Sequence, residues 1–406
     1  MILGVITMYK STLLILITIL LLPAISPRTT PVSADSRVIS AYRTTLWHKA
    51  RIYIDPELGE NLAEKQTMLL IFKNRDAMRV GLPLLSTKVE ILHRYKIIPA
   101  VLINGRISDV VRMDPYGRII RGVYANRILR LEIPKITIGG AKTNETAKVI
   151  GATTFWLHGY YGEDIRVCVV DTGVNSSHPE LAGRIVKPEK SFVLKSLGYS
   201  FDEPSPMDIH GHGTVVAGII AGAGLDPRGQ GMAPKALIMN ARVMSSDGTI
   251  TYAGIIAAIE WATYGDDGVP NTGDEADIIN LSLGGGQMYL SPTWLAVEEA
   301  TKMGVIVVCA AGNEGDNEIA SMSINDPANA PYAIAVGAVS PYYDSIEYYT
   351  SFGPTIFMAV KPDVVAPSDV YGLDYISGGY TSSTNAGTSF STPHVSGGLA
   401  LILEYL

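Results

Sequence analysis

The sequence predicts an α/β fold: a mostly parallel sheet with helices on both faces, preceded by a small α+β domain. Two observations carry that prediction. From residue 149 onward, short β-branched runs alternate with longer stretches of helical spacing, the pattern of a parallel sheet covered on both sides. The second observation is a reversal of charge. Residues 36–148 hold 20 Lys and Arg against 10 Asp and Glu, a net of +10, whereas residues 149–406 hold 10 against 28, a net of −18. The whole-chain value of −7 conceals two bodies of opposite sign. Basic segments often serve nucleic acid, but here the acidic partner is on the same chain. Mutual attraction is the simpler account, and no nucleic-acid partner is expected.

Residues 1–34 read as a signal peptide. Lys10 precedes the apolar run Ser11–Leu22, then come Pro23 and a Ser/Thr/Pro-rich stretch with Val32-Ser33-Ala34 as a small-residue cleavage site. The run is shorter than the roughly 17–25 residues of a membrane span, so the membrane is met only transiently, in export, and the product is secreted. An uncleaved anchor is the rival reading. Residues 35–66 form an N-terminal extension, and 67–133 a small domain. There Thr67–Lys73 reads as a strand, Leu84–Tyr95 as a helix, and Ile97–Ile103 as a strand made an edge by Pro99. Ile107–Met113 follows as a short helix, Asp114–Gly117 as a turn, and Ile119–Val123 and Arg127–Ile133 as strands. This order gives a ferredoxin-like two-layer sandwich. Residues 134–150, with Gly139-Gly140 and no sustained period, read as a linker.

The body 151–406 supplies strands Ile165–Val170, Leu237–Val243, Asp277–Leu281, Val305–Ala310 and Ala333–Val339. Its helices are His212–Ala221, Tyr252–Tyr264, Pro292–Met303 and Pro393–Leu406. Three stretches stand out. Val167–Gly173 is a buried-strand run ending in Asp171-Thr172-Gly173. In His210–Gly218 a Gly-rich turn delivers His212 into a helix of small residues. In Asn385–Gly397, Ser389 follows a Gly-Thr turn at a helix mouth, where unpaired N–H groups and the dipole favour a developing oxyanion. Alone, the last reads equally as a capping loop. Together they provide the acid, base and nucleophile that activate a serine hydroxyl near neutral pH.

With Asp-Thr-Gly, His-Gly-Thr-x-Val-Ala-Gly and Gly-Thr-Ser-x-Ser-x-Pro-His-Val in that order, the chain resembles the subtilisin-like serine proteases, the subtilases. The resemblance implies a subtilisin-like fold and a secreted serine endopeptidase acting on proteins or peptides through an acyl-enzyme. Asp171, His212 and Ser389 would be its triad, and Asn313, in Ala-Ala-Gly-Asn, its oxyanion-hole amide. Ser282, Leu283, Gly284 and Gly285 would pair with substrate as a strand edge, and Asn325 would lie at the floor of the primary pocket. The basic domain resembles a propeptide, made with the enzyme as a self-processing zymogen and acting as its cis inhibitor. Cleavage would fall after Leu131 and before about Gly151. Cys168 and Cys309 would sit on non-adjacent strands, as buried small hydrophobes rather than a disulfide. His210, lacking the motif that follows His212, and His394, inside a helix, are not read as the base.

No cofactor is expected for catalysis. The loop Asp266–Glu275 offers oxygens from Asp266, Asp267, Asn271 and Asp274. Two readings stay open, a structural Ca²⁺ site and a solvated acidic loop. Gly222–Gly229, at the position of another family calcium loop, lacks its usual Asn-rich run. Val215 and Phe390 depart tolerably from the family pattern. The nucleophile is followed by 406 − 389 = 17 residues, where subtilases usually continue for tens more, so a C-terminally truncated domain is expected. The alternative is a catalytically silent protein that binds peptides in the same cleft. A lipase is a poor fit: it would require Gly-x-Ser-x-Gly and the order Ser, Asp, His.

Overall fold

Residues 52–59, 63–131, 140–193, 203–288, 291–315, 322–342, 345–381 and 385–406 are described by a computed structural model. The expected signal peptide, part of the N-terminal extension, residues 132–133 of the expected small domain and residues 134–139 of the expected linker lie outside the described residues.

The N-terminal domain runs β1 (Tyr53–Ile54), β2 (Lys65–Phe72), α1 (Arg75–Leu85), β3 (Glu90–Arg94), β4 (Ala100–Arg106), α2 (Ile107–Met113) and β5 (Ile120–Ala125). The sheet order is β1-β5-β2-β4-β3, antiparallel except for β1 on β5. From β2 to β5 this is the βαββαβ order of a ferredoxin-like sandwich. Two elements differ from expectation. The helix lies at 75–85 rather than 84–95, because Asn74 caps it by accepting the Ala77 N–H at 2.8 Å. Residues 90–94 instead pair with β4. Pro99 does not mark an edge: it precedes β4, which lies between β2 and β3.

The unbroken apolar run of β2 has a physical reason, since both faces of its sheet are covered. Met68, Leu70 and Phe72 face a core with Leu85, Ile107 and Val110 of the domain's own helices. Leu69 and Ile71 face a core shared with the second body, containing Ala253, Ile256 and Trp261. β6 (Ile128–Leu129), expected to extend this sheet, leaves it and pairs antiparallel with β10 (Ile250–Thr251) of the second body.

Part of the expected linker is structured. α3 (Thr143–Ile150) and α4 (Ala152–Leu157) pack on the second body, and Thr146 and Ala147 are fully buried. Short polar side chains hid the helix from a periodicity reading. Next come β7 (Arg166–Asp171), β8 (Lys190–Ser191), α5 (His212–Ala221), β9 (Leu237–Arg242) and, after β10, α6 (Tyr252–Tyr264). The chain continues through β11 (Ile278–Leu281), α7 (Pro292–Lys302), β12 (Ile306–Ala310), β13 (Ile334–Val339), β14 (Val364–Pro367) and α8 (Thr388–Tyr405). The seven strands are parallel, in the order β14-β13-β12-β11-β7-β9-β8.

Alternation along β7 sends Cys168 and Val170 toward the core of α6 and α7, and Val167 and Val169 toward that of α5 and α8. Cys168 and Cys309 are buried and unbridged on β7 and β12, which β11 separates. α8 begins at Thr388, five residues before Pro393, so Ser389 sits within its first turn.

Candidate active site

The carboxyl ends of parallel strands are where an open α/β sheet exposes its turns, and β7 ends there on Asp171. His212 is the first residue of α5, and its Nδ1 lies 2.7 Å from Asp171 Oδ1. Both side chains are 1% exposed. The same oxygen accepts the Thr172 N–H at 2.7 Å. This closeness depends on Gly213: a Cβ there would collide with the Gly173 carbonyl oxygen.

His212 is held from behind by Asp208, a buried carboxylate. One oxygen accepts the N–H groups of His210 (2.9 Å) and Gly211 (2.8 Å) and the Thr172 hydroxyl (2.8 Å). The other accepts the Thr214 N–H and hydroxyl. One anion therefore caps α5, where the helix dipole favours negative charge, and ties it to the turn after Asp171. The His212 ring packs 4.9 Å from that of Phe390, the residue after Ser389. Its Nε2 is buried and, among the described residues, makes no hydrogen bond.

The nucleophile candidate is held differently. Ser389 Oγ donates to the Ser282 carbonyl at 2.9 Å rather than to His212. In return, Ser282 Oγ donates to the Ser389 carbonyl at 2.6 Å. Pro393 explains that second bond. A residue at 393 with an N–H would bond the carbonyl four residues back, and proline leaves it open. Asn280 Nδ2 donates to Ser282 Oγ and Asn280 Oδ1 accepts from Ser396, joining β11 to α8 by side chains. A hydroxyl on Cβ has three staggered positions, and this one faces Ser282.

A cavity of about 330 Å³ opens beside Ser389. Its walls include Gly284, Gly285, Asn313 and Asn325, with Ile128–Leu131 of the N-terminal segment along one side. Leu129 lies against Gly285, where any Cβ would strike it. The Asn313 carboxamide oxygen accepts the Thr388 N–H (2.9 Å) and hydroxyl (3.0 Å), which orients the amide beside the helix mouth. Asn325 Nδ2 donates to Glu314 at 3.0 Å, and Glu314 also accepts from Ser351. Of the strand edge, Ser282 is fully buried, Leu283 is almost so, and Gly285 exchanges both backbone bonds with Asp326.

The calcium residues do not gather. Asp274 accepts the N–H groups of Asp266 and Asp267 and the Thr272 hydroxyl, Asp267 accepts from Val269, and Asp266 pairs with Lys190. The carboxylates of Asp267 and Asp274 thus close their own loop, that of Asp266 pairs with Lys190 outside it, and Asn271 takes a positive φ of 63° within the loop. Among the described residues no three His, Cys, Asp or Glu side chains converge as a metal site. The loop after α5 is likewise organised around an anion. Glu180, fully buried, accepts the N–H groups of Gly224, Leu225 and Asp226 and the Tyr380 hydroxyl.

Asp171, His212, Ser389, Asn313, Asn325 and Ser282–Gly285, named from the sequence, all lie in this one region. Sequence reasoning missed Asp208, the Ser282 hydroxyl and Glu314. Asp208 had a signal, an Asp just ahead of a helix start; the other two had none.

The sequence profile of the subtilase family matches residues 162–406, more than half of the chain. The major intracellular serine protease of Bacillus subtilis (strain 168) is 36% identical over 262 residues, covering 64% of this chain and 75% of that protein. Serine protease AprX of the same organism is 33% identical over 313 residues, covering 70% and 65% respectively. Subtilisin E, also from B. subtilis, is 37% identical over 258 residues, covering 63% and 59%. The chain spans less than two thirds of the length of the last two. A solved structure of a cold-adapted subtilisin-like serine proteinase aligns at 32% identity over 61% of this chain and 77% of its own, with a TM-score of 0.47.

Proposed function

Because the chain belongs to the subtilase family of serine endopeptidases, we propose that it cleaves peptide bonds through Asp171, His212 and Ser389. The observation that carries this reading is the buried Asp171–His212 pair at 2.7 Å, whose Nε2 is left without a partner beside the helix that bears Ser389. Ser389 Oγ leaves the Ser282 carbonyl and turns to Nε2, His212 takes its proton, and the alkoxide attacks the substrate carbonyl. His212 then returns the proton to the leaving amine, and Asp171 stabilises the imidazolium. The Asn313 amide and the Ser389 N–H hold the oxyanion. Substrate lies extended along Ser282–Gly285, its side chain directed toward Asn325 and Glu314.

The enzyme is made as an exported zymogen. Support for inhibition in cis is the pairing of β6 with β10 and the seat of Ile128–Leu131 in the cleft. The N-terminal domain also supplies Asn126, whose side chain accepts the Ala253 N–H, while Glu260 of α6 accepts the N–H groups of Lys96 and Ile97. Since α3 is already docked, the processed bond lies between Leu131 and Thr143. Export rests on Lys10 and the run Ser11–Leu22 alone.

Purified precursor treated with a fluorophosphonate is the test. Modification at Ser389, absent in Ser389→Ala, is expected, together with self-cleavage of the wild type only. Folded wild-type protein that neither labels nor cleaves would make the chain a peptide-binding shell.

A further inference from the structure

The cleft beside Ser389 carries a charge that the chemistry above does not use. Of the described residues lining the cavity, two are charged: Glu314 of the second body and Arg130 of the N-terminal segment. Glu314 lies half-buried in the turn after β12. Its Oε1 accepts the Asn325 amide at 3.0 Å, and its Oε2 accepts the Ser351 hydroxyl at 2.7 Å. Ser351 Oγ in turn accepts the Glu314 N–H at 3.1 Å, which fixes the side chain against its own backbone. The three polar groups converge over Gly312, whose φ is 114°. A Cβ there would lie 2.5 Å from Glu314 Oε2 and 2.7 Å from both Asn325 Nδ2 and Ser351 Oγ, so glycine is what admits them. The Gly312 N–H donates to Thr388 Oγ1 at 3.2 Å, one residue before Ser389.

Among the described residues, the hydrogen-bond partners of the Glu314 side chain are neutral. They orient the carboxylate without balancing its charge, and about two of its four lone-pair sites stay open. An apolar side chain entering there would strip water from the carboxylate and return nothing. A neutral amide would return a hydrogen bond but no charge. An ammonium or guanidinium on a long stem returns both. The other walls suit such a stem: Gly284, Gly285 and Ala310 offer backbone and a methyl, against which methylenes lie while the charged head stays polar. At longer range the second body is negative, with 10 Lys and Arg against 28 Asp and Glu over residues 149–406, a field that draws basic chains toward the cleft. The N-terminal segment already lays one cation, Arg130, along the cavity.

We infer that Glu314, oriented by Asn325 and Ser351, sets the specificity of the cleft. The substrates are proteins and peptides with Lys or Arg on the carbonyl side of the cleaved bond. This rests on the proteolytic reading and adds the substrate class to it.

The test gives the processed enzyme peptide p-nitroanilides that differ only in the residue before the scissile bond. Lys and Arg are expected to exceed Gln and Leu in kcat/KM by about tenfold to a hundredfold. Glu314→Gln is expected to bring the Lys-to-Gln ratio near one, and salt at about 0.5 M to narrow it in the wild type. A wild-type ratio near one, or a ratio that Glu314→Gln leaves unchanged, overturns the proposal. Should Glu314→Gln not fold, the salt dependence of the wild-type ratio decides. If no peptide is cleaved, the proteolytic reading fails and binding judges the pocket. The full-length chain, whose cavity stands open beside the N-terminal segment, is then expected to bind benzamidine about tenfold more tightly than benzamide. Equal binding of the two, or none, overturns the proposal there as well.

Discussion

Asp171 and His212 are locked in place by backbone, whereas Ser389 is held by a bond it must give up. On the acid–base side the geometry comes from a strand end, a helix start, a glycine that admits close approach, and Asp208 binding both. On the nucleophile side a proline-freed carbonyl and a neighbouring serine fix the backbone of Ser389 while its hydroxyl rests on Ser282. The difference teaches that this fold fixes the Asp171–His212 pair completely and leaves the Ser389 hydroxyl on the Ser282 carbonyl, with the N-terminal segment Ile128–Leu131 in the cleft.

The largest way to break the comparison is to remove the hydroxyl. Ser389→Ala is expected to abolish self-cleavage and turnover, by about 10⁶ in kcat, the size measured when a subtilisin loses its nucleophilic serine. Its Tm should stay near that of the wild type.

Next in size is acid sensitivity of the nucleophile helix. His394 bonds the Phe390 carbonyl at 2.8 Å and Thr146 Oγ1 at 2.7 Å, and burial lowers its pKa to about 4. A histidine lowered in the folded state stabilises fully above its unfolded value and loses that contribution as pH falls from about 6.5 to 4. The loss amounts to about 3 kcal/mol. Urea titrations of Ser389→Ala at pH 7 and pH 4.5 measure it. Adding His394→Gln should shrink the difference, and an unchanged difference would remove His394 from the account.

Breaking the acid–base side at Asp208 should cost about 2 kcal/mol of stability, because a cap is lost and several buried donors lose their acceptor. For Asp208→Ala we expect kcat to fall more than KM rises. A variant that loses neither stability nor turnover would show that His212 needs no such support. The smallest effect belongs to the join between the two sides. Ser282→Ala strands the Ser389 carbonyl and should lower kcat by about tenfold or less, about 1 kcal/mol, with KM nearly unchanged. Ser282→Thr, keeping the hydroxyl, should recover most of it.

Much of this was legible in the sequence. The strands of the second body announced themselves because both sheet faces are buried, and α5 and α6 begin at the residues expected, His212 and Tyr252. The N-terminal domain was harder. Leu84–Tyr95 carries helix-spaced apolar residues, yet the Asn74 cap starts the helix earlier and pairing with β4 claims residues 90–94. Period alone cannot weigh a cap against a strand partner. β6 was read into its own sheet because its partner, Ile250–Thr251, lies more than a hundred residues away. The acidic loop Asp266–Glu275 stayed open between a Ca²⁺ site and a solvated loop because composition does not reveal which of its oxygens backbone N–H groups use.

The most direct measurement is a crystal structure of the processed enzyme carrying a peptidyl phosphonate. Covalent attachment at Ser389 Oγ, with that oxygen off the Ser282 carbonyl and His212 Nε2 within about 3 Å of it, is the result the account predicts. An adduct on another residue, or an imidazole still out of reach of the phosphonylated Oγ, would contradict it.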